Sequence, residues 1–296
     1  MTSTCDIPCD AQALEHCREV TRREARNFYY GLKLLPEPQR SALYCIYAWM
    51  RHADDLADDE PGQADPIAAA AALSRFREDT RRAMAGDQAM DDPMWRAFMA
   101  TTSRFGLDSG PFDAMIDGQV EDLDFRQPET MDELVEYCRK VASSVGRVCI
   151  SIWGYDDPKA LELADERGIA FQLTNVLRDV REDHSNGRVY IPRSILEKSG
   201  LEIDTLLKWE HPDRCDELIR SLVKASESRY RSSAPLDSMI TRSCRPTLRA
   251  MTRIYHGILQ RMNRNPRSIA GPRRVKLGGL RKFTIALTAR LQAGAS

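Results

Sequence analysis

A chain of 296 residues with 29% charged residues and a formal net charge of −1 shows none of the basic excess that marks a nucleic-acid-binding protein. The length suits one large domain or two modest ones and is ample for a sizeable core. No run approaches the ~18 consecutive apolar residues of a membrane-spanning helix. The opening stretch "MTSTCDIPCDAQALEHCREV" lacks the basic-then-apolar order of a secretory leader. That absence argues for a reducing, cytoplasmic setting in which the eight cysteines are thiols. Cys5, Cys9, His16 and Cys17 match no standard zinc spacing. Cys45, Cys138 and Cys149 sit in apolar stretches and read as small core residues.

Apolar residues recurring at three- and four-residue spacings predict helices over 12–26 and 37–59, the latter including Leu43, Ile46, Tyr47 and Met50. Pro36 and Pro38 mark the start of the second helix, and "PGQADP" breaks the chain at 61–66. Further helices are predicted over 67–86, 91–104, 111–123, 130–153, 157–184, 203–233 and 243–263. The gaps carry Pro, Gly or Asn in "FGLDSGP", "QPET", "GYDDP", "SNGR" and "NRNP". "GRVYIP" is a short extended candidate, and there is no internal repeat or low-complexity linker. Many helices without convincing strands predict an all-α fold, with residues 1–296 forming one domain.

Two acidic clusters stand out. The first, "RHADDLADDE", places Asp54, Asp55, Asp58 and Asp59 directly behind the apolar run "ALYCIYAWM". Like charges at i,i+4 spacing destabilise a helix by a few tenths of a kcal/mol per pair, roughly, so a local origin for the cluster is missing. The second lies in "FQLTNVLRDVREDHSNGRVYIP", where Gln172, Asn175, Asp179 and Asp183 form a polar row on one helix face. Phe171, Leu173, Val176, Leu177 and Val180 occupy the other faces, which predicts a buried helix. Ionised carboxylates are rarely buried unpartnered, because desolvation costs several kcal/mol per ion. Hard divalent cations shared between the clusters would offset the repulsion, and oxygen-only donors suit Mg²⁺. Surface charge explains most acidic runs taken singly. Two runs, each attached to an apolar helix, point instead to a cation and diphosphate site.

The pieces "NFYYGLKLLP", "ALYCIYAWMRHADDLADD", "YCRKVASSVG" and "QLTNVLRDVREDHSNGRVYIP" resemble the squalene/phytoene synthase family in order and spacing, over nearly the whole chain. They look most like the bacterial presqualene diphosphate synthases, with phytoene synthases close behind. The resemblance implies an isoprenoid-synthase helical fold around a central cavity, and head-to-head (1′-1) condensation of two prenyl diphosphates. It implies Asp54, Asp55 and Asp58 as a first aspartate-rich motif and Asp179 and Asp183 as a second, preceded by Gln172 and Asn175. Asp54, Asp58, Asn175, Asp179 and Asp183 would hold metal. Tyr47 and Arg51 lie one and two turns before the first motif; Arg178 is placed similarly at the second. Tyr137 resembles a cavity tyrosine, Tyr255 a late-helix tyrosine near the site, and Arg274 and Arg281 basic residues of the C-terminal segment. Asn27 stands where many members have serine, and can still hydrogen-bond a phosphate oxygen. Asn27, Arg51, Arg178 and Arg274 are thus the expected diphosphate-binding set.

These readings predict a Mg²⁺-dependent enzyme, with Mn²⁺ as a substitute, acting on two molecules of farnesyl diphosphate in squalene or hopanoid biosynthesis. Phytoene, squalene and hydroxysqualene synthesis are the alternatives, with a non-catalytic family member the remotest. No Rossmann fingerprint follows a strand, and NADPH is not expected. Small residues in "VASSVG" leave room for prenyl tails, although close helix packing would also use them. The basic stretch Arg273 to Arg290 could lie on the inner face of a membrane. Downstream enzymes of the same route are the expected protein partners.

Overall fold

The computed structural model describes residues 11–25, 27–58, 65–87, 90–278, 284, 285 and 288. Among the described residues the regular structure is helical, apart from one isolated antiparallel bridge between Tyr155 and Ile240. The first half holds α1 (Ala11–Glu24), α2 (Asn27–Leu32), α3 (Gln39–Asp58), α4 (Pro66–Met84), α5 (Pro93–Phe105) and α6 (Gly110–Leu123). Next come α7 (Met131–Cys138), a π-helical turn (Arg139–Ser143), α8 (Ser144–Trp153) and the long α9 (Lys159–Ser185). The second half adds α10 (Arg193–Lys198), α11 (Ile203–Lys208), α12 (Pro212–Ser232), α13 (Leu236–Met239) and α14 (Arg245–Arg264).

Local chemistry explains the boundaries. Asp92 accepts hydrogen bonds from the backbone N–H groups of Met94 (2.8 Å) and Trp95 (3.4 Å), and Pro93 follows it. Those donors have no partner inside the first turn, so an acceptor there fixes where α5 begins. Gly106, at φ 59°, ends the same helix in a left-handed cap. Two predicted helices are divided. The stretch 130–153 is interrupted by the π turn, which inserts one extra residue into the helical winding. The stretch 203–233 breaks because Trp209 adopts a left-handed conformation (φ 59°) and Pro212 restarts the chain as α12. "GRVYIP" forms no strand; Ile191 is buried and its carbonyl accepts from Gln127 Nε2 at 2.8 Å.

The first half packs on an aromatic cluster. Trp49 is fully buried, stacks on Phe98 (5.7 Å) and meets Phe112 edge-on (5.0 Å). Its indole N–H donates to Thr80 Oγ1 at 3.0 Å, so burying this polar group leaves nothing unsatisfied. Tyr29 is buried and stacks on Tyr44. Cys45, Cys138 and Cys149 are buried free thiols, as small core residues should be. The second half is tied to α9 by Arg167, which is 4% exposed. Arg167 donates to Ser233 Oγ and to the Ser233 carbonyl, both at 2.9 Å, and reaches Thr252 and Asp237. Burial lowers the pKa of this guanidinium, and its ion pair with Asp237 offsets part of that cost.

One contact sets the spacing of the central helices. A Cβ on Gly168 of α9 would lie 2.7 Å from Ser143 Cα and 2.8 Å from the Ala142 carbonyl oxygen. One on Gly146 would lie 3.1 Å from the Ala164 carbonyl oxygen. Backbone cannot yield as a flexible side chain can, so the π turn and α8 approach α9 this closely because glycine stands at both points. Gly168→Ala should therefore destabilise the protein by about 1–3 kcal/mol, the usual cost of overpacking, despite alanine's better helix propensity. Urea unfolding decides it: an unchanged or raised midpoint would show that the helices can separate freely.

Candidate active site

A cavity of about 380 Å³ runs between α3, α8, α9 and α14. Its walls are mostly apolar, from Leu43, Ile46 and Met50 on α3 to Val145, Cys149 and Ile150 on α8. The helices pass it in register. Gly168 of α9 abuts Ser143, while Gly146 abuts Ala164, so α8 and α9 run antiparallel. Thr252 meets Arg167 and Tyr255 stacks on Phe171 at 4.6 Å, so α14 descends alongside α9. Tyr47, Gln172, Asn175 and Tyr255 line one end of the cavity. Each acidic motif follows directly from that end: Asp54 lies one turn beyond Met50, and Asp179 one turn beyond Asn175. The fold thus carries both clusters to the same mouth of an apolar tunnel.

At the first motif, Arg51 forms an ion pair with Asp55. Asp54 accepts a hydrogen bond from Gln119 Nε2 on α6 at 2.7 Å. Burial raises the pKa of the Tyr47 hydroxyl, reinforced by the charge of Asp54. Asp58 ends α3, and its side chain lies outside the described residues, as do the side chain of Asn27 and the whole of Arg281.

At the second motif Asp179 is gripped from two sides. Arg178 donates through Nε (2.9 Å) and Nη2 (2.5 Å), and Arg274 Nε approaches at 3.0 Å. Arg274 also pairs with Glu182 at 2.5 Å. Burial works against the charge of Arg178, but its bonds to Asp179 prevail and its pKa rises. Asp183 has no such grip. Burial, and then the charge of Asp179, push its carboxyl up to about 7. It also sits in the last turn of α9, where the helix dipole disfavours negative charge. Asn175 donates to Gln172 Oε1 at 3.2 Å, and its own carbonyl oxygen Oδ1 is buried without a partner.

Among the described residues, no three acidic, histidine or cysteine side chains converge closely enough to hold a metal unaided. The donor chemistry nevertheless fits a hard divalent cation. Asp54, Asp55, Asp179 and Asp183 offer oxygen ligands, burial and the Asp179 charge outweigh the Arg274 and Arg188 charges at Asp183, and the Asn175 Oδ1 atom is an orphaned buried acceptor. Phosphate oxygens and water would complete such a coordination shell.

Tyr137 lines a different space. It faces an adjoining acidic cleft, where its hydroxyl donates to Asp122 Oδ2 at 3.0 Å. Tyr190 donates to Asp122 Oδ1 at 2.8 Å, and the two rings stack at 5.0 Å. Burial, followed by the Asp122 charge, raises both tyrosine pKa values. Gln119, Asp122 and Tyr190 escaped sequence reasoning. The acidic run "VEDLD" was the available signal for Asp122, and "GRVYIP" contains Tyr190.

The C-terminal segment also differs from expectation. Residues 274–278 are not helical, and Val275 and Leu277 are buried, Leu277 against Gly257 of α14. Those apolar side chains face protein and are not free to enter a lipid surface. Residues 279–283 and most of the remainder lie outside the described residues. Among the described residues no helix is long and apolar enough to cross a membrane.

The squalene/phytoene synthase family model matches residues 21–281. A phytoene synthase of Mycobacterium tuberculosis is 34% identical over 94% of this chain and 90% of its own length. A presqualene diphosphate synthase of Zymomonas mobilis is 34% identical over 82% of both chains. Among solved structures, a dehydrosqualene synthase in complex with a ligand superposes with a TM-score of 0.83 at 29% identity, covering 96% of this chain and 98% of that one. A squalene synthase from Alicyclobacillus acidocaldarius superposes with a TM-score of 0.78 at 29% identity, covering 86% and 94%. The chain belongs to the squalene/phytoene synthase family, whose members are prenyltransferase-type enzymes using prenyl diphosphates.

Neutralising the two carboxylates of the second motif should have opposite effects on metal-free protein. Asp179→Asn removes the charge that holds two guanidinium groups and should lower stability by about 1–3 kcal/mol. Asp183→Asn relieves burial and repulsion, so its stability should hold or rise. Urea unfolding in EDTA tests the pair; equal destabilisation by both variants would contradict the asymmetry.

Proposed function

We propose that this protein condenses two molecules of farnesyl diphosphate head to head, giving presqualene diphosphate and inorganic diphosphate, in a Mg²⁺-dependent reaction without reductant. The observation that carries this reading is an apolar cavity lined by Met50, one turn before Asp54 on α3, and by Asn175, one turn before Asp179 on α9. A molecule with an anionic head and a long hydrocarbon tail has the matching polarity.

The reaction breaks the bond between C1 and the diphosphate oxygen of one substrate and leaves an allylic cation. The double bond of the second substrate attacks that cation, and loss of a proton closes a cyclopropane ring. Mg²⁺, bound by Asp54, Asp58, Asn175, Asp179 and Asp183, would supply neutralisation of the negative charge that develops on the leaving diphosphate. Arg51, Arg178 and Arg274 stand beside those carboxylates and can turn to the phosphate oxygens. Guanidinium groups suit that exchange, because their planar donors fit carboxylate and phosphate equally. Tyr47 and Tyr255 place hydroxyls at the cavity mouth, close to where the departing proton must go. Ile46, Met50, Val145 and Cys149 exclude water from the cation.

Phytoene synthesis from geranylgeranyl diphosphate is the second reading. It is favoured by the mycobacterial phytoene synthase, which aligns over 94% of this chain. Incubation with labelled farnesyl or geranylgeranyl diphosphate, with and without NADPH, discriminates between them. The expected product is presqualene diphosphate whether or not NADPH is present; phytoene formed in preference to any C30 product would overturn the assignment.

Turnover should vanish in excess EDTA and return with Mg²⁺, or with Mn²⁺ in its place. Asp54→Asn should lower kcat by roughly two orders of magnitude or more while the protein stays folded. Full activity in EDTA, or near-normal turnover of the variant, would remove the metal from the mechanism.

A further inference from the structure

The far end of the cavity is closed by Trp153. Along α9 the lining residues run from Asn175 at the mouth to Ala164, eleven residues away, or about 16 Å of helix axis. The π turn and the antiparallel α8 run the other way, from Val141 near the mouth to Trp153, the last residue of α8. Leu248 of α14 and Leu236 of α13 complete that end. The side walls of the tunnel are thinned by small residues, among them Ala142, Gly146, Ala164 and Gly168. The largest side chain of the lining is thus set where the tunnel stops.

The chemistry of Trp153 is as telling as its position. It is 3% exposed, and its indole Nε1–H has no hydrogen-bond partner. Trp49, the comparable buried indole, has Thr80 to accept its proton. A buried tryptophan usually finds a partner for its polar end, so Trp153 stands out as a ring valued for bulk against an apolar space. The π-face of an isoprene double bond is a weak acceptor that such an N–H can meet.

We propose that Trp153 is the residue that sets the longest prenyl tail this cavity accepts, admitting the three isoprene units of a farnesyl chain and excluding the fourth of a geranylgeranyl chain. This inference rests on the prenyl diphosphate reading above. The extra unit must occupy the volume of the indole ring, and tightly packed neighbours leave the ring nowhere to move.

The test compares kcat/KM for farnesyl and geranylgeranyl diphosphate in wild type, Trp153→Ala, Trp153→Phe and Met251→Ala, the last being a truncation on the cavity's side wall. Trp153→Ala should raise the C20-to-C15 ratio roughly tenfold or more, the scale on which pocket volume discriminates apolar groups. Trp153→Phe should change it less, and Met251→Ala should leave it within about twofold of wild type. A folded Trp153→Ala protein with an unchanged ratio overturns the proposal, as does an equal shift in Met251→Ala or a wild type that prefers the C20 substrate. Should Trp153→Ala fail to fold, Trp153→Leu is measured instead, by the relative Kd of farnesyl and geranylgeranyl thiodiphosphate, and the same shift is required. Wild type that neither binds nor converts either diphosphate would instead refute the prenyl diphosphate reading itself.

Discussion

Negative charge at the mouth of an apolar tunnel is the constraint on which the rest of the structure turns. Asp54 and Asp55 close one helix, Asp179 and Asp183 another, and partial burial, deepest at Asp179, thins the water that would screen their repulsion. The protein meets this cost with its own cations. Arg51 pairs with Asp55, while Arg178 and Arg274 divide Asp179 between them. Asp183 is left to burial and its neighbour's charge, which hold its proton to about pH 7. The Asn175 Oδ1 oxygen is left without any such partner, as the cation site proposed above requires.

The helices that carry these residues are positioned by close backbone approach as well as by side-chain packing. Gly168 and Gly146 let α8 and the π turn lie against α9, and Arg167 locks α9 to the C-terminal helices from the other side. Rigid walls matter to the carbocation reaction proposed above, because water admitted for an instant ends it.

Much of this was legible in the chain. The row Gln172, Asn175, Asp179 and Asp183 obeys helical periodicity, and local spacing suffices to put it on one face. All-helical architecture followed from the same periodicity, and most helix ends from Asp, Pro and Gly signals. The contacts made by Gln119, Asp122 and Tyr190 were not legible. Gln119 meets Asp54 across 65 residues and Tyr190 meets Asp122 across 68, distances that only tertiary folding spans. Trp209 takes a left-handed conformation without the Gly or Asn that usually announces one, so Pro212 was the signal for the break before α12. Arg274 was named from resemblance, but its bond to Glu182 as well as Asp179 depends on how the segment after α14 folds back.

The π turn at Arg139–Ser143 stands where one stretch of chain passes from one compartment to another. Upstream of it Tyr137 faces the acidic cleft with Asp122; downstream, Val145 and Cys149 face the apolar cavity. Each residue of an α-helix advances about 100° around the axis, so one inserted residue rotates everything before it by that angle relative to everything after. Eight residues of uninterrupted α-helix would set Tyr137 and Val145 about 80° apart around the axis, and the inserted residue changes that angle by about 100°. A single residue's worth of phase is therefore a structural parameter of this protein, one that substitutions leave untouched and that an insertion or deletion within 139–143 would reset.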